Sequence, residues 1–257
     1  MTLPLQWEVL EPLAATAVSR TWRVALRGQL PGRLAVLRLD EPGAARLGLN
    51  RVAEPGVLKA AAAAGLGPAC LLADPARGLL LTEWLPGRAW TATDLQDPAN
   101  LRRAAGLLRR LHATPLAGPV VDLDAALARY ARAVGARSRA IPVPIAPVGA
   151  PAGATGVCFC HNDPTPGNFI ESPAGELRLI DWEYAGLCHP EFDLAGLALG
   201  AGLNRAQVTV LLTAYRGRAP TPAEAESHHQ WEAFCHRLGV VWGAASGAAP
   251  GLAPKLT

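Results

Sequence analysis

Residues 161–168 carry the sequence His161-Asn162-Asp163-Pro164-Thr165-Pro166-Gly167-Asn168, and residues 179–184 carry Leu179-Ile180-Asp181-Trp182-Glu183-Tyr184. Two prolines and a glycine lie between Asp163 and Asn168, and these residues favour turns over a regular helix or strand. Each segment follows a short apolar run that predicts a strand, at Cys158–Cys160 and at Leu177–Ile180. The pattern therefore places a carboxylate, an amide and a second carboxylate on loops beside strands, where catalytic groups tend to lie.

These three side chains match the chemistry of phosphoryl transfer. That reaction uses a carboxylate beside the attacking hydroxyl, and an amide oxygen and a second carboxylate that hold Mg²⁺ against the nucleotide phosphates. The step from Asp163 to Asn168 equals the step within the H-R-D-x-x-x-x-N loop of protein kinases, and Asp181 stands where those enzymes have a metal-binding aspartate. An isolated Asp-x-x-x-x-Asn would more often be a turn. The second aspartate and the flanking apolar runs favour a catalytic centre.

Length and composition bound the class of protein. The chain has 257 residues, of which 50% are hydrophobic and 18% charged, and this indicates a globular protein with room for two lobes. Its net charge of +3 is spread along the chain, so no nucleic-acid partner is expected. The odd count of five cysteines favours reduced thiols and a cytoplasmic location. No leader peptide is recognised and no apolar run approaches the roughly 20 residues of a spanning helix, so no membrane partner is expected.

Residues 1–85 are predicted to form a small, β-rich N-terminal lobe. The segment Arg33–Leu39 alternates as a strand does, and Gly78–Glu83 predicts the last strand before a hinge. Between them, the alanine-rich segment Leu58–Ala64 predicts a helix that ends at Gly65. The fold class expected from this lobe and the helical remainder is α+β.

Residues 86–257 are predicted to form a larger, mostly helical lobe. Asp97-Pro98 is typical of a helix start, and the helix that follows has an apolar stripe opposite four arginines that are expected to face solvent. Further helices are predicted at 123–134, 193–203, 205–215 and 222–241, a proline- and glycine-rich loop at 141–156, and a loosely ordered tail at 244–257.

The two motifs resemble those of the aminoglycoside phosphotransferase and choline kinase superfamily. The form Asp-Trp-Glu-Tyr-Ala is most similar to the branch that contains bacterial choline and thiamine kinases. The likeness covers most of the chain: residues 37–39 are similar to the phosphate-clamp strand of the family, 50–54 to its N-R-x-x-E segment, 83–88 to its hinge, and 107–112 to its helix that closes with Leu-His. This resemblance implies a two-lobed, protein-kinase-like fold with ATP and Mg²⁺ as cofactors.

The resemblance also implies a role for each matching residue of the two motifs. Asp163 would accept or orient the proton of the substrate hydroxyl, and Asn168 and Asp181 would bind Mg²⁺. His161 would support the catalytic loop as a buried, hydrogen-bonded imidazole, because Asp163 already provides the base. The expected reaction is therefore the phosphorylation of an alcohol.

For the nucleotide, the resemblance implies contacts from the first lobe and the hinge. Arg38 would bind the phosphates with its planar guanidinium, oriented by Glu54, and the hinge residues Glu83 and Leu85 would also bind the nucleotide. Pro55 directly follows Glu54 and predicts a helix that starts at Pro55 with Glu54 as its cap. This prediction leaves the pairing of Glu54 with Arg38 open.

The acceptor is expected to be a small, cationic alcohol. Aromatic faces attract quaternary ammonium groups, and carboxylates add long-range attraction. Choline, ethanolamine or thiamine-like alcohols lead, with sugars and aminoglycosides as the alternative. The large tryptophans could equally anchor the core. The candidate substrate residues are Glu183, Tyr184, Asp193, Trp231 and Trp242.

Three other interpretations carry less weight. A nucleotide-binding protein without turnover is suggested by residues 13–20, which hold no glycine where kinases have a glycine-rich cover. A protein-substrate kinase is disfavoured because no D-F-G to A-P-E segment follows Asp181. A zinc site among the cysteines and histidines of 158–161 and 188–189 is disfavoured because Cys-x-Cys is tighter than the usual ligand spacing.

His228 and His229 are expected on a polar helix surface. The oligomeric state and the choice between ATP and GTP stay open.

Overall fold

An antiparallel sheet of five strands is formed by the first part of the chain. A computed structural model describes residues 5–246, apart from residues 17, 29–30, 43, 45–46 and 138–155. The strands lie in the order β1-β2-β3-β5-β4, and apolar side chains from β2, β3 and β5 form a core of their own on one face. Their bounds are β1 (Gln6–Ala15), β2 (Ser19–Arg27), β3 (Leu34–Asp40), β4 (Cys70–Asp74) and β5 (Leu79–Glu83).

Helix α1 (Glu54–Ala63) follows β3 and corrects one prediction. The helix begins at Glu54 and not at Pro55, because Ala53 before it already has helical dihedral angles of −78° and −31° and serves as the N-cap residue. Proline is tolerated there because the N–H groups of the first turn have no partner within the helix. The carboxylate of Glu54 makes no capping bond and is free to point elsewhere. As predicted, the helix ends near Gly65, whose φ of 67° lies in the left-handed region.

The rest of the described chain is mostly helical, as predicted. Helix α2 packs against α5, and α6 packs against both α3 and α4. Two small sheets lie among them, one with strand order β6-β8-β9 and one that pairs β7 with β10. The helices are α2 (Pro98–Ala113), α3 (Leu123–Arg137), α4 (Pro190–Ala201), α5 (Arg205–Arg216) and α6 (Pro222–Ser246), and the strands are β6 (Arg88–Ala89), β7 (Cys158–Cys160), β8 (Phe169–Glu171), β9 (Leu177–Leu179) and β10 (Gly186–Cys188).

Helix α2 shows how the sequence specifies its own boundaries. The side chain of Asp97 accepts a hydrogen bond from the N–H of Ala99 at 2.9 Å, which caps the helix as predicted. The predicted stripe is fully buried. Of the four arginines, three are exposed and Arg103 is half-buried, where it binds Glu171 at 2.6 Å and lies over the ring of Trp90. The buried residues of the stripe are Leu101, Ala104, Ala105, Leu108 and Leu111.

The predictions for His228, His229, the tail and the loop at 141–156 have different outcomes. His228 was expected at the surface of α6, but this was wrong: it is buried, and its Nδ1 lies 2.8 Å from Oε2 of Glu191. The prediction holds for His229, which is exposed. Residues 244–246 of the predicted tail belong to α6, and the remainder of that tail lies outside the described residues, as does nearly all of the predicted loop 141–156.

The sheet and the helices together form the α+β architecture that the sequence predicts. Its division into lobes at residues 85 and 86 stays a prediction. No helix in the described part of the chain has the length and apolarity that crossing a membrane requires.

Candidate active site

The loop after β7 is held in place by one buried carboxylate. Asp193, in the first turn of α4, accepts hydrogen bonds from the N–H groups of His161 at 2.9 Å and Asn162 at 2.7 Å. Asn162 has a φ of 64°, and its side chain donates to the carbonyl of Tyr184 at 2.9 Å. These bonds pin the loop in a conformation that few residues other than glycine, asparagine and aspartate adopt. Asp193 was expected to contact the substrate, but it is fully buried and bonded to the loop instead.

Asp163 and Asn168 are in direct contact. The Nδ2 of Asn168 donates to the main-chain oxygen of Asp163 at 2.8 Å and to its Oδ2 at 3.1 Å. The carboxylate of Asp163 is only 2% exposed, and its Oδ1 has no hydrogen-bond partner in the described chain. Burial, together with the charges of Asp181 and Glu183, raises the pKa of Asp163 well above its ordinary value. A hydrogen-bond donor placed beside Oδ1 would therefore stabilise this carboxylate.

Asp181 follows β9 and is joined to the catalytic loop through its neighbour. The N–H of Ile180 donates to the carbonyl of Asn168 at 2.9 Å, and the carbonyl of Ile180 lies 2.9 Å from Nε2 of His161. Asp181 itself has a φ of 64°, the second left-handed residue of the site that is not glycine. Such residues cluster at functional sites because surrounding contacts must hold them there. The structure therefore brings both sequence motifs together at one place.

His161 is buried between the two motif loops, and its supporting role stays a prediction. Its ring is fully buried against the edge of Trp182, with 4.8 Å between ring centroids. Burial lowers the pKa of His161, so the neutral ring donates its Nε2–H to the carbonyl of Ile180. The Nε1–H of Trp182 in turn donates to the carbonyl of Leu179 at 3.0 Å. His161 therefore fixes the distance between the two loops.

Arg38 and Glu54 form the ion pair that the sequence left open. Two guanidinium nitrogens of Arg38 donate to the two carboxylate oxygens of Glu54, at 2.6 Å and 2.5 Å. Both residues are buried, and the bidentate geometry fixes the orientation of the guanidinium. Burial opposes the positive charge, but the bonds to Glu54 raise the pKa of Arg38 overall.

Arg51 completes the charged cluster and was not singled out in the sequence. Its guanidinium lies 2.6 Å from Glu183, 3.0 Å from Asp40 and 3.3 Å from Glu54. Glu183 was predicted to contact the substrate, but it is buried beside Arg51, with Arg38 also 3.6 Å away. Burial and the charge of Asp181 raise the pKa of Glu183, and the two arginines oppose that shift. The sequence placed Arg51 and Glu54 together in the N-R-x-x-E segment, and their three-residue spacing was the signal for a contact between Arg51 and this cluster.

A pocket opens directly beside Asp163. It encloses about 470 Å³, including space open to solvent, and aromatic and aliphatic side chains form most of its wall. Within it, Nε1–H of Trp242 donates to the hydroxyl of Tyr184 at 3.1 Å. Asp163 is the only carboxylate among the described lining residues. The lining consists of Val121, Leu123, Ala126, Tyr130, Asn162, Asp163, Tyr184, Phe192, Leu238 and Trp242.

The remaining predicted residues take different positions. Trp231 does not line this pocket but stacks on His189 at 5.0 Å and packs against Phe192 in the core, as the alternative interpretation had it. Glu83 ends β5, and its Oε2 accepts a hydrogen bond from the N–H of Ala69 at 3.3 Å. Leu85 follows, half-buried, where the chain leaves the sheet. Glu83 and Leu85 thus lie at the predicted hinge.

Comparison with known proteins agrees with this arrangement. The chain resembles a choline/ethanolamine kinase family protein from Mesorhizobium loti at 25% identity, with a TM-score of 0.70 over 95% of this chain and 80% of that one. It resembles the choline kinase LicA from Streptococcus pneumoniae at 20% identity, with a TM-score of 0.68 over 93% and 86% of the two chains. For the macrolide 2'-phosphotransferase MphH from Brachybacterium faecium, the identity is 21% and the TM-score 0.61, over 95% and 89%.

A match over most of the chain decides the family. No match was found among curated protein sequences. The sequence profile of the Phosphotransferase enzyme family (APH), however, matches residues 9–228, which include nearly all of the sheet, both motifs and the start of α6. These comparisons agree with the motifs that the sequence shares with aminoglycoside phosphotransferases and choline kinases. The chain therefore belongs to the Phosphotransferase enzyme family.

Proposed function

We propose that the protein is an ATP- and Mg²⁺-dependent kinase that phosphorylates the hydroxyl of a small cationic alcohol of the choline, ethanolamine or thiamine type. The observation that carries this proposal is the pocket beside Asp163, where one buried carboxylate meets a wall of aromatic rings. The carboxylate suits the reacting hydroxyl, and the rings suit a cationic head group a few bonds away. Both features belong to one cavity, so a single small molecule can use them together.

The wall of the pocket favours a quaternary ammonium or thiazolium group over an aminoglycoside. The rings of Tyr130, Tyr184 and Trp242 line the cavity, and each contact of a ring face with such a cation contributes about 0.5–2 kcal/mol. An aminoglycoside carries several primary ammonium groups, and each needs hydrogen-bond acceptors when it loses water. Among the described lining residues only Asp163 is a carboxylate, and its place is beside the reacting hydroxyl.

Asp163 is proposed as the group that receives the hydroxyl proton. Its buried Oδ1 lacks a partner, so the O–H of a bound alcohol would satisfy it. A raised pKa improves its ability to take up a proton near neutral pH. Asn168 orients the carboxylate by donating to Oδ2, and His161 and Asp193 hold the loop that carries both residues.

Mg²⁺ fits the oxygen donors of the adjoining loops. Asn168 uses its amide nitrogen to bind Asp163, so its amide oxygen remains available, and Asp181 contributes a carboxylate that is exposed. Mg²⁺ prefers a few carboxylate and carbonyl oxygens together with phosphate oxygens and water. When bound, it would neutralise negative charge on the nucleotide phosphates.

Nucleotide binding is proposed between the sheet and the hinge. Glu54 holds Arg38 as an oriented guanidinium for the phosphates, and the chain at Glu83–Leu85 supplies main-chain groups for the base. LicA has been observed in complex with AMP, and the aminoglycoside phosphotransferase APH(2'')-Ib with ADP bound. These neighbours support a nucleotide as the phosphate donor.

A coupled assay of ADP release tests the proposal. Choline, ethanolamine, thiamine, a hexose, an aminoglycoside and a macrolide would each be offered with Mg-ATP, with Asp163→Asn as the inactive control. We expect the highest kcat/KM for an alcohol with a quaternary ammonium or thiazolium group. Faster turnover of the aminoglycoside or the macrolide would instead support the second candidate, an antibiotic phosphotransferase, which the likeness to MphH favours. Nucleotide binding without turnover of any acceptor would indicate a binding protein.

A further inference from the structure

A cluster of two thiols and an imidazole lies outside the proposed phosphoryl-transfer site. Cys158 and Cys160 lie two residues apart on β7, so both side chains face the same way. Their Sγ atoms are 3.6 Å apart, and a ring nitrogen of His112, at the end of α2, lies within 4.8 Å of both. None of the three residues lines the pocket beside Asp163.

The spacing of the two sulfur atoms suits a tetrahedral metal ion. Zinc binds thiolate sulfur at about 2.3 Å, and tetrahedral angles then separate two such sulfurs by roughly 3.8 Å. The observed 3.6 Å is close to that separation, so the strand itself preforms two of the ligands. The Cys-x-Cys spacing is unusual for zinc along a loop, but on a strand it directs both sulfurs to one point.

His112 is oriented as metal-binding histidines commonly are. Its Nε2 lies 2.9 Å from Oδ2 of Asp193, and because an ionised carboxylate only accepts hydrogen bonds, Nε2 is the donor. In the neutral ring, Nδ1 then carries the lone pair, and the hydroxyl of Tyr215 lies 2.7 Å from it. A carboxylate that fixes the tautomer and angle of the ring is the usual outer partner of a histidine ligand.

The histidines nearer in sequence have other partners. Nε2 of His161 is bonded to the carbonyl of Ile180, and its ring lies against Trp182. Nδ1 of His189 accepts a hydrogen bond from the N–H of Glu191 at 3.3 Å. The third ligand thus comes from a distant helix, which no spacing rule could indicate.

We propose that His112, Cys158 and Cys160 bind a thiophilic divalent cation of the zinc type. Two thiolates and one imidazole provide three ligands, and water completes a tetrahedral set. Binding forms two metal–sulfur bonds and releases two thiol protons to solvent. Cys158 is half-buried and gives the ion a route to the buried Cys160. This site is distinct from the oxygen ligands proposed for Mg²⁺, and it does not depend on the acceptor substrate.

Titration with Co²⁺ tests this proposal, because thiolate ligands give cobalt a charge-transfer absorption that oxygen ligands do not. The full-length protein, kept reduced, should show this band and bind one Co²⁺ per chain, and Zn²⁺ should displace the cobalt. Cys158→Ser and Cys160→Ser should each lose much of the band and weaken Zn²⁺ binding by at least about tenfold, the minimum that loss of even an outer partner costs. The matched control is Cys70→Ser, a half-buried cysteine outside the cluster, which should bind as the wild type does.

The role of His112 is tested by a second pair of variants. His112→Gln should weaken Zn²⁺ binding at least as much as the cysteine variants, whereas Tyr215→Phe removes only a hydroxyl that competes for Nδ1 and should bind normally or more tightly. Circular dichroism would establish that each variant is folded. If the variants of the buried residues do not fold, the half-buried Cys158→Ser variant tests the proposal by itself. A protein without the charge-transfer band, unchanged binding in Cys158→Ser, or equal losses in Cys70→Ser would overturn the proposal.

Discussion

Asp163 is a buried carboxylate whose proposed catalytic role would come at a cost in stability. It is 2% exposed and lies in the field of three further carboxylates, those of Asp181, Glu183 and Asp193, so its ionised form is disfavoured in the folded protein. Among the residues that the structure describes, only the amide of Asn168 donates a hydrogen bond to its side chain. In the proposed function, a carboxylate held in this way accepts a proton and a hydrogen bond from the substrate, and that role would offset its cost in stability.

Replacing Asp163 by asparagine should separate catalysis from binding. We expect Asp163→Asn to lower kcat by about 10²- to 10⁴-fold, because the variant lacks the proton acceptor. The affinity for Mg-ATP should stay measurable, since the amide oxygen can still accept the bond from Asn168. Turnover by ADP release and affinity by calorimetry check both parts. Substantial retained activity would remove Asp163 from its proposed role.

The same variant should also reveal the raised pKa of Asp163 through stability. A carboxyl whose pKa is raised on folding stabilises the protein below its unfolded pKa of about 3.9, and this contribution is lost as pH rises through the folded value. Asp163→Asn cannot ionise, so its Tm should exceed that of the wild type above the folded pKa. The difference should shrink as the pH is lowered. A wild type that is more stable than the variant at pH 8 would contradict the raised pKa.

At the scale of elements, a buried charge cluster ties three parts of the fold together. Arg38 lies on β3, Glu54 begins α1, and Glu183 follows the loop that carries Asp181. Arg51 contacts both acids and links the first sheet to the second motif. The position of the proposed phosphate-binding guanidinium relative to Asp181 therefore depends on these ion pairs.

Removing Arg51 should weaken this connection. Arg51→Gln leaves Glu183 and Glu54 buried with less positive charge nearby, and the loss of one partner of a buried pair costs about 3–5 kcal/mol. We expect a lower free energy of unfolding in urea and a higher KM for ATP. The exposed Arg102→Gln on α2 is the matched control and should change neither value. Equal effects in both variants would show that the cluster has no special role.

The cap of α2 gives a second prediction for an element. Asp97→Ala removes the acceptor of the Ala99 N–H and should destabilise the protein by about 0.5–2 kcal/mol, whereas Asp97→Asn keeps an acceptor and should be nearly neutral. Urea unfolding measures both. The KM values for ATP and for the acceptor should not change, because Asp97 lies away from the described pocket lining.

In the whole molecule, the proposed ligands of ATP come from distant parts of the chain. Arg38 belongs to the first sheet, and Asn168 and Asp181 belong to loops among the helices. A nucleotide that contacts all of them stabilises the folded state as a whole, because the unfolded chain cannot bring these residues together.

Mg-ATP should therefore protect the protein from thermal unfolding. At about 100 times its Kd, the ligand should add roughly 2.7 kcal/mol to the free energy of unfolding and raise the Tm. Asp181→Ala, or chelation of Mg²⁺ with EDTA, should remove most of this protection. Differential scanning fluorimetry would record it, and an unchanged Mg-ATP effect in Asp181→Ala would exclude Asp181 as a metal ligand.

Local chemistry was enough to determine much of this protein from its sequence. The apolar stripe and cap of α2, the strands around Arg38 and Leu81, and the two motif loops are specified by residues within about ten positions of one another, and each was predicted near its observed place. The pairing of the two motifs was also predictable, because phosphoryl transfer uses a proton-accepting carboxylate together with an amide and a second carboxylate that bind the metal.

Contacts between distant residues were decided only by the tertiary structure. The sequence left the pairing of Arg38 with Glu54 open, and it assigned Glu183 and Asp193 to a substrate where the fold uses them to bind Arg51 and the catalytic loop. The approach of His112 to Cys158 had no local signal at all. A buried charge takes the partner that folding brings to it, and that partner is set by the packing of whole elements, which the neighbouring residues in the chain do not encode.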